Sequence, residues 1–351
     1  MTNTSGAGAP AARRATISQV AKLAGVSKAT VSKAFNNRSG VSEETRRRVL
    51  MVAASLGWQP SARAVALTSG GSGAVGFVIN RAPDLLSSDP YFAELLSGIE
   101  RTLAEHGYWL LLQIAEHTTP AQERDAYVTL AQTQRIDGVF LAESRIMDQR
   151  FDIVDELDLP AVIVSRPWAR TDLPWVGPAD PGGGVADAVA HLAALGHRRL
   201  AYVAGPPDRS HVQYRTQAFY EAVSANGLSV VGIARTDFSA EQGYRATVDV
   251  LGQPEAPTAI LYDSDPMAIA GCRAAIARGL RVPDDLSVIG HDDIHLSRWT
   301  TPALTTIQQD VQGLGERCAR RLLDQLGVPV APPEPLPDPV LVIRESTGPV
   351  A

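Results

Sequence analysis

Two groups of side chains in this 351-residue sequence have types and spacings that suggest chemistry. The first is Lys28, Ala29, Ser32 and Lys33, within the stretch AKLAGVSKATVSKAF. That stretch also holds Lys22, and with it every lysine of the chain. Ammonium groups suit guanine O6 and N7, and a serine hydroxyl bonds a base edge or a phosphate. The second is a series of polar clusters, each close behind an apolar run: Ser88-Asp89, Ser165-Arg166, Asp208-Arg209, Asp263-Ser264-Asp265 and His291-Asp292-Asp293. Carboxylates, hydroxyls and guanidiniums collected in this way, with a few aromatics, complement a polyhydroxylated ligand such as a sugar.

Other chemistries fit poorly. His291 and His295 would share one ion only on a helix, and this stretch follows a strand-like run and Gly290, so no metal is expected. Gly182-Gly183-Gly184 lacks the Lys-Ser/Thr of a phosphate loop. No Ser-His-Asp or Cys-His spacing supports a nucleophile. Cys272 and Cys318 are far apart in a large chain and are expected to be free thiols. The expectation is a protein that is not an enzyme and takes no cofactor. Its N-terminus has no apolar signal core and no run approaches a membrane span, so it is placed in the cytoplasm.

The first group sits in a segment of unusual charge. Residues 1–69 carry ten Lys and Arg against Glu43 and Glu44, a net +8, while the whole chain carries −6. A small basic module on a large acidic body suggests a polyanion-binding head. Residues 1–15 read as a disordered arm. Thr16 to Gln19 is a capping-box start. Val20, Leu23 and Ala24 give a short helix one apolar face, and Gly25 ends it. Ser27 caps a second helix that buries Val31, Ala34 and Phe35, and Ser42-Glu43-Glu44 opens a third. Two short helices on a Gly turn, with a supporting third, make a helix-turn-helix. Arg46, Arg47 and Arg48 on the third helix are either phosphate contacts or solvated charge.

The second group needs a different scaffold. From Ala74 onward, apolar runs such as 74–79, 109–113, 138–142, 161–164, 200–204, 259–262 and 287–290 alternate with helical stretches. Continuous apolar strands alternating with helices argue for parallel, doubly wound sheets, here in two α/β lobes. Ligands of such sheets bind beyond the carboxyl ends of the strands, where the polar clusters fall.

The segment TISQVAKLAGVSKATVSKAFNNRSGVSEETRRRVLMVAASLGWQPSARAVAL resembles the headpiece of the lactose-repressor (LacI/GalR) family of transcription regulators. The likeness extends to about Pro349 through PYFAELL, LGHRR, VPDDLSVIG, LTTIQQD and REST. It implies residues 16–60 as a DNA-binding domain and 61–73 as hinge helix and linker. It implies 74–349 as an effector-binding and dimerisation domain with a two-lobed periplasmic-binding-protein fold. The N-lobe would span about 74–176 and 310–328, the C-lobe about 177–307 and 335–349. Ser27, Lys28, Ala29, Thr30, Ser32, Lys33 and Asn36 become candidate DNA contacts. Ala64 and Leu67 join them in the hinge, where Leu67 matches a minor-groove wedge. Lys33 stands where many members have arginine; lysine keeps the charge without the planar fork.

Carried over position by position, Arg215 falls on a ligand-gripping arginine, Asp292 on a hydroxyl-binding aspartate and Phe238 on a stacking aromatic. Tyr91 and Phe92 fall on the N-lobe rim. Ser165, before Arg166, replaces a common Asp; Ser264, beside Asp265, replaces Asn; and His291 replaces an aromatic. Asp89 and Gln309 complete the candidate effector set. The function expected is a DNA-binding regulator, of repressor type, controlled by a sugar. Its partners would be a pseudo-palindromic double-stranded operator, the effector and a second copy of the chain. A cytoplasmic solute-binding or sugar-processing α/β protein is the alternative.

Overall fold

The computed structural model describes residues 15–35, 39–60, 71–81, 86, 88–114 and 119–350. The expected N-terminal arm, Asn36, and the hinge helix with Ala64 and Leu67 lie outside the described residues. The chain divides into two compact units, Met1–Gly73 and Ala74–Ala351.

In the first unit, α1 (Ile17–Ala24) starts at Thr16. The Thr16 hydroxyl accepts from the Gln19 amide, and Gln19 Oε1 accepts from the Thr16 amide at 2.8 Å. Gly25 ends the helix at φ +65°, a left-handed conformation that glycine adopts without steric cost. Three residues later α2 (Lys28–Phe35) begins, with Ser27 Oγ accepting from the Thr30 amide at 3.0 Å. The third helix, α3 (Glu43–Ser55), is capped by Ser42 and carries Glu43 and Glu44 in its first turn, where the helix dipole favours negative charge. Val20, Ala24, Val31, Ala34, Val49 and Ala53 close a small core, and Phe35 meets Trp58 edge-on at 5.1 Å. Arg48 is a tie rather than free charge: its Nε donates to the Ala24 carbonyl at 3.1 Å, satisfying an end group of α1. Arg46 pairs with Glu43.

The second unit holds two sheets. The first comprises β1 (Ala74–Ile79), β2 (Trp109–Ile114), β3 (Gly138–Leu141), β4 (Ala161–Val164) and β5 (Trp175–Val176), in the order β2-β1-β3-β4-β5, all parallel. Its helices are α4 (Pro90–Glu105), α5 (Pro120–Gln132) and α6 (Arg150–Glu156). The chain then builds α7 (Val185–Ala194), β6 (Arg199–Ala204), α8 (Ser210–Ala225), β7 (Ser229–Arg235), α9 (Ala240–Leu251), β8 (Ala259–Tyr262), α10 (Asp265–Ala277), β9 (Ser287–Asp292) and β10 (Thr305–Gln308). It returns as α11 (Val311–Gln325) and finishes with β11 (Val340–Val342). The second sheet runs β11-β10-β9-β8-β6-β7, parallel except for the edge strand β11. Both lobes thus repeat one topology, with the second strand at one edge and the first beside the third.

Three connections join the lobes: 177–184, 309–310 and 326–339. Between the last two, α11 leaves the second lobe to complete the first. Its Val311, Leu314, Cys318 and Leu322 are buried with Leu95, Ile99 and Leu103 of α4. The two helices touch backbone to backbone. A Cβ on Gly98 would lie 2.0 Å from the Gln312 carbonyl oxygen, and one on Gly315 would lie 2.3 Å from that of Leu95. Among the described residues, no helix is long and apolar enough to cross a membrane.

Gly98→Ala should therefore force α4 and α11 apart. The expected loss is about 1–3 kcal/mol or more, the usual cost of overpacking. It should appear as a lower urea midpoint of the full-length protein with an unchanged slope.

Candidate functional site

On the head, the polar face of α2 is presented as the sequence suggests. Lys28, Ala29 and Lys33 are exposed, Ser32 is half-buried, and Val31 and Ala34 face the core. The Ser27 and Thr30 hydroxyls bond each other at 2.9 Å while Ser27 caps the helix, so both are engaged in starting α2. The outcome is a short helix with Lys28 and little bulk in its N-terminal turn and Lys33 in its last, a form suited to a major groove.

In the body, a cavity opens beyond the carboxyl ends of both sheets. Arg81, Asp89, Tyr91, Glu143 and Ser165 line it from the first lobe. From the second lobe come His211, Arg215, Phe238, Asp263, Ser264 and Asp292, with Gln309 on the middle connection. Each lobe contributes most from its topological switch point, where the first and third strands lie side by side and crossovers leave in opposite directions. Arg81 follows β1 and Glu143 follows β3; Gly205 follows β6 and Asp263 follows β8. Glu143, Ser165, Phe238 and Asp292 all have positive φ, at 50°, 73°, 73° and 102°. Side chains rarely adopt that backbone, and four such positions around one cavity, two from each lobe, mark it as a candidate functional surface.

The charges are paired inside the wall. The Asp263 carboxylate accepts from the Gly205 amide at 2.9 Å and from the Tyr202 hydroxyl. It also lies 3.8 Å from the Arg215 guanidinium, which donates to the Asp263 carbonyl at 3.2 Å. Arg215 Nε and Ser264 Oγ remain buried without a hydrogen-bond partner in the protein. Asp292 accepts from the Gln309 amide nitrogen at 2.7 Å. Burial pushes the Asp292 carboxyl up to about 8, against the pull of Arg215 and with the push of Asp89. Burial and the charge of Arg215 hold His211 neutral, down to about 3. On one side the lobes are laced together. The Ser210 amide donates to the Ser144 carbonyl at 2.8 Å, the Ile146 amide to that of Asp208 at 2.9 Å, and the Tyr214 hydroxyl to that of Pro167 at 3.0 Å.

This pairing of a helix-turn-helix with a two-lobed cleft has known counterparts. Residues 16–61 match the bacterial regulatory proteins of the lacI family, and residues 189–347 match the periplasmic binding protein-like domain. The HTH-type transcriptional repressor CytR of Escherichia coli (strain K12) is 37% identical over 339 residues, covering 95% of this chain and 96% of the relative. The chain belongs to the LacI family. Like those relatives it is a DNA-binding transcriptional repressor. The Lac repressor dimer bound to operator and the anti-inducer ONPF superposes with a TM-score of 0.82, at 28% identity, covering 96% of this chain and all of that one. The CelR–cellobiose complex gives 0.70 at 30% identity, covering 95% and 100%.

Against this LacI-family frame, Asp89, Tyr91, Ser165, Arg215, Phe238, Ser264, Asp292 and Gln309 come together on the cavity wall. Three other candidates do not. Phe92 is buried in the first lobe's core, under the Arg81 guanidinium at 5.0 Å. Arg166 is exposed and lies over the Tyr214 ring at 5.5 Å. Asp265 turns inward as a clamp for the loop after β9, accepting from the Ile294 amide at 2.9 Å, Ser297 Oγ at 2.7 Å and Thr306 Oγ1 at 2.5 Å. Arg81, Glu143, His211 and Asp263 are wall residues that the sequence reading did not place there as ligand contacts. Asp263 carries a local signal, standing directly after β8 in a polar cluster. The described residues contain no group of three or more His, Cys, Asp or Glu able to hold a metal ion.

Asp292 gives a signed pH dependence. Its folded value lies above its ordinary one of 3.8, so its contribution to stability is full below about pH 4 and is lost as pH rises through about 8. Asp292→Asn has no such proton to lose. The melting temperature of the wild-type body relative to the variant should fall steadily across that window, and parallel pH profiles would contradict the burial of a protonated carboxyl there.

Proposed function

We propose that this repressor binds a pseudo-palindromic double-stranded operator as a homodimer in the cytoplasm, and that a neutral sugar in the interlobe cleft controls its affinity for DNA. One observation carries the effector reading: Arg215 Nε and Ser264 Oγ, both buried and unpartnered, share one cavity with the Asp292 carboxyl and the Phe238 ring. Buried polar groups demand partners. A ring of hydroxyls supplies both donors and acceptors to such groups. Even with Asp292 protonated, Asp89, Glu143 and Asp263 outnumber Arg81 and Arg215, and His211 is neutral, so the wall disfavours a phosphorylated ligand. The CelR relative holds cellobiose and the Lac repressor relative is a dimer on its operator, which agrees with both halves of the reading.

On the head, Lys28, Ala29, Ser32 and Lys33 are the proposed readers, with Ser27 and Thr30 fixing the start of the helix that carries them. In the cleft, Arg215 grips and Asp292 selects hydroxyls, and the two lobes differ in their spacing between ligand-bound and ligand-free states. The effector acts on DNA only through its differential affinity for those states.

A thermal-shift screen of neutral sugars, sugar phosphates and nucleosides identifies the effector class, since a ligand of the folded body raises its melting temperature in proportion to log concentration above Kd. Stabilisation by sugar phosphates alone would overturn the reading. With the effector in hand, Arg215→Ala should abolish the response of operator binding to it while leaving operator affinity without effector within about twofold. Lys33→Ala should cost about 1–3 kcal/mol at the operator and relax preference at one base pair, seen by titrating single-base operator variants.

A further inference from the structure

The guanidinium of Arg81 lies between two aromatic rings that belong to different lobes, 5.0 Å from the Phe92 centroid and 4.9 Å from that of Phe238. Among the described residues, the hydrogen bonds that fix its plane come from the first lobe. Nε reaches both oxygens of Glu143 at 3.1 Å, a second nitrogen reaches Glu143 at 2.6 Å, and a third reaches Asp89 at 3.2 Å. The pairing keeps Glu143 charged despite a burial that pushes its carboxyl up; the charge of Arg81 and then of Arg209 brings it down to about 2. Phe238 is equally fixed. Its φ is +73°, its outer edge sits where a Cβ on Gly205 would stand 2.2 Å away, and the His211 ring stacks on it at 5.8 Å. The platform that the resemblance gives to the ligand is thus already covered, from the opposite lobe, by a side chain of the protein itself.

We infer that Arg81 is a built-in occupant of the Phe238 platform, which holds the lobes together without ligand and selects against flat heteroaromatic ligands such as nucleosides. A planar base needs the face of Phe238. To reach it, the base must lift a guanidinium out of a desolvated sandwich and away from a bidentate carboxylate. The stack it would gain is a single base–aromatic contact. A saturated, hydroxyl-rich ring needs no such displacement, since Asp292, Arg215 and Ser264 meet it at the cavity wall. The selectivity part rests on the cleft being the effector site, as proposed above; the clasp part does not.

Arg81→Ala leaves Glu143 buried without its partner, which endangers the fold. The double variant Arg81→Ala/Glu143→Gln removes both charges and guards against that outcome. In ligand-free full-length protein, amide hydrogen exchange at 143–146, 208–210 and 236–239 should quicken by about tenfold or more in these variants, with the centres of both sheets unchanged. Calorimetric titration with adenosine should show binding to the variants at least about tenfold tighter than to wild type, the size of one base stack. Unchanged exchange at those segments overturns the clasp. Adenosine held equally by wild type and variants overturns the selectivity. Should wild type bind no neutral sugar while both expected changes appear, the sugar reading falls and the role of Arg81 stands.

Discussion

A guanidinium taken out of water must find carboxylates, and the carboxylates found by Arg81 and Arg215 decide how the body is arranged around its cleft. Glu143 and Asp89 hold the first, and Asp263 holds the second. Each pair is buried, so breaking it by moving one partner costs far more than the pair is worth on an exposed surface. The strand ends are pinned as a result. Glu143 and Asp263 each follow the third strand of a sheet, and each reaches across to the residues after the first. The same electrostatic tie spans the switch point twice, once per lobe.

The backbone bears the strain of this arrangement. Loops leaving β3, β4 and β9 turn through left-handed conformations at Glu143, Ser165 and Asp292, and Phe238 does the same after β7. Ordinary side chains avoid such turns unless the surroundings over-determine them. Here the surroundings are ion pairs and packed rings. A wall preorganised in this way has little to reorder when a ligand arrives, which favours affinity. In the loop after β9, the next residue, Asp293, also has positive φ and is fixed by Arg298, Arg344 and Gln308.

Much of this was legible from residue order, and the exceptions have physical causes. Most buried strands read as apolar runs because both faces of a parallel sheet are covered. The buried β10 did not, being written Thr-Thr-Ile-Gln, nor did the edge strand β7, half-buried and interrupted by Gly232. Helix α11 carries two poor helix formers whose reasons are visible only in the fold: Gly315 allows close approach to α4, and Gly313 leaves room for the Asp310 carboxylate that caps the helix. Phe92, Arg166 and Asp265 each neighbour a true wall residue, Tyr91, Ser165 and Ser264. One step along a chain redirects the side chain, so a motif can place a site correctly and still name the wrong member of a pair. Arg81 and Glu143 stand 62 residues apart and carry no local signature. Only the pairing of β1 with β3 brings them together.

The late return of α11 bears on how the chain is made. Helix α11 begins about 135 residues after β5 ends, counting from Val176 to Val311. At ordinary ribosomal rates that gap is on the order of 10 s. Throughout it the first sheet has its strands but lacks the helix that buries Val75, Phe140 and Val162 alongside Cys318 and Leu322. The nascent first lobe therefore exposes an apolar sheet face while the second lobe is being synthesised. The order of synthesis, rather than the finished fold, sets when that face is open to wrong partners.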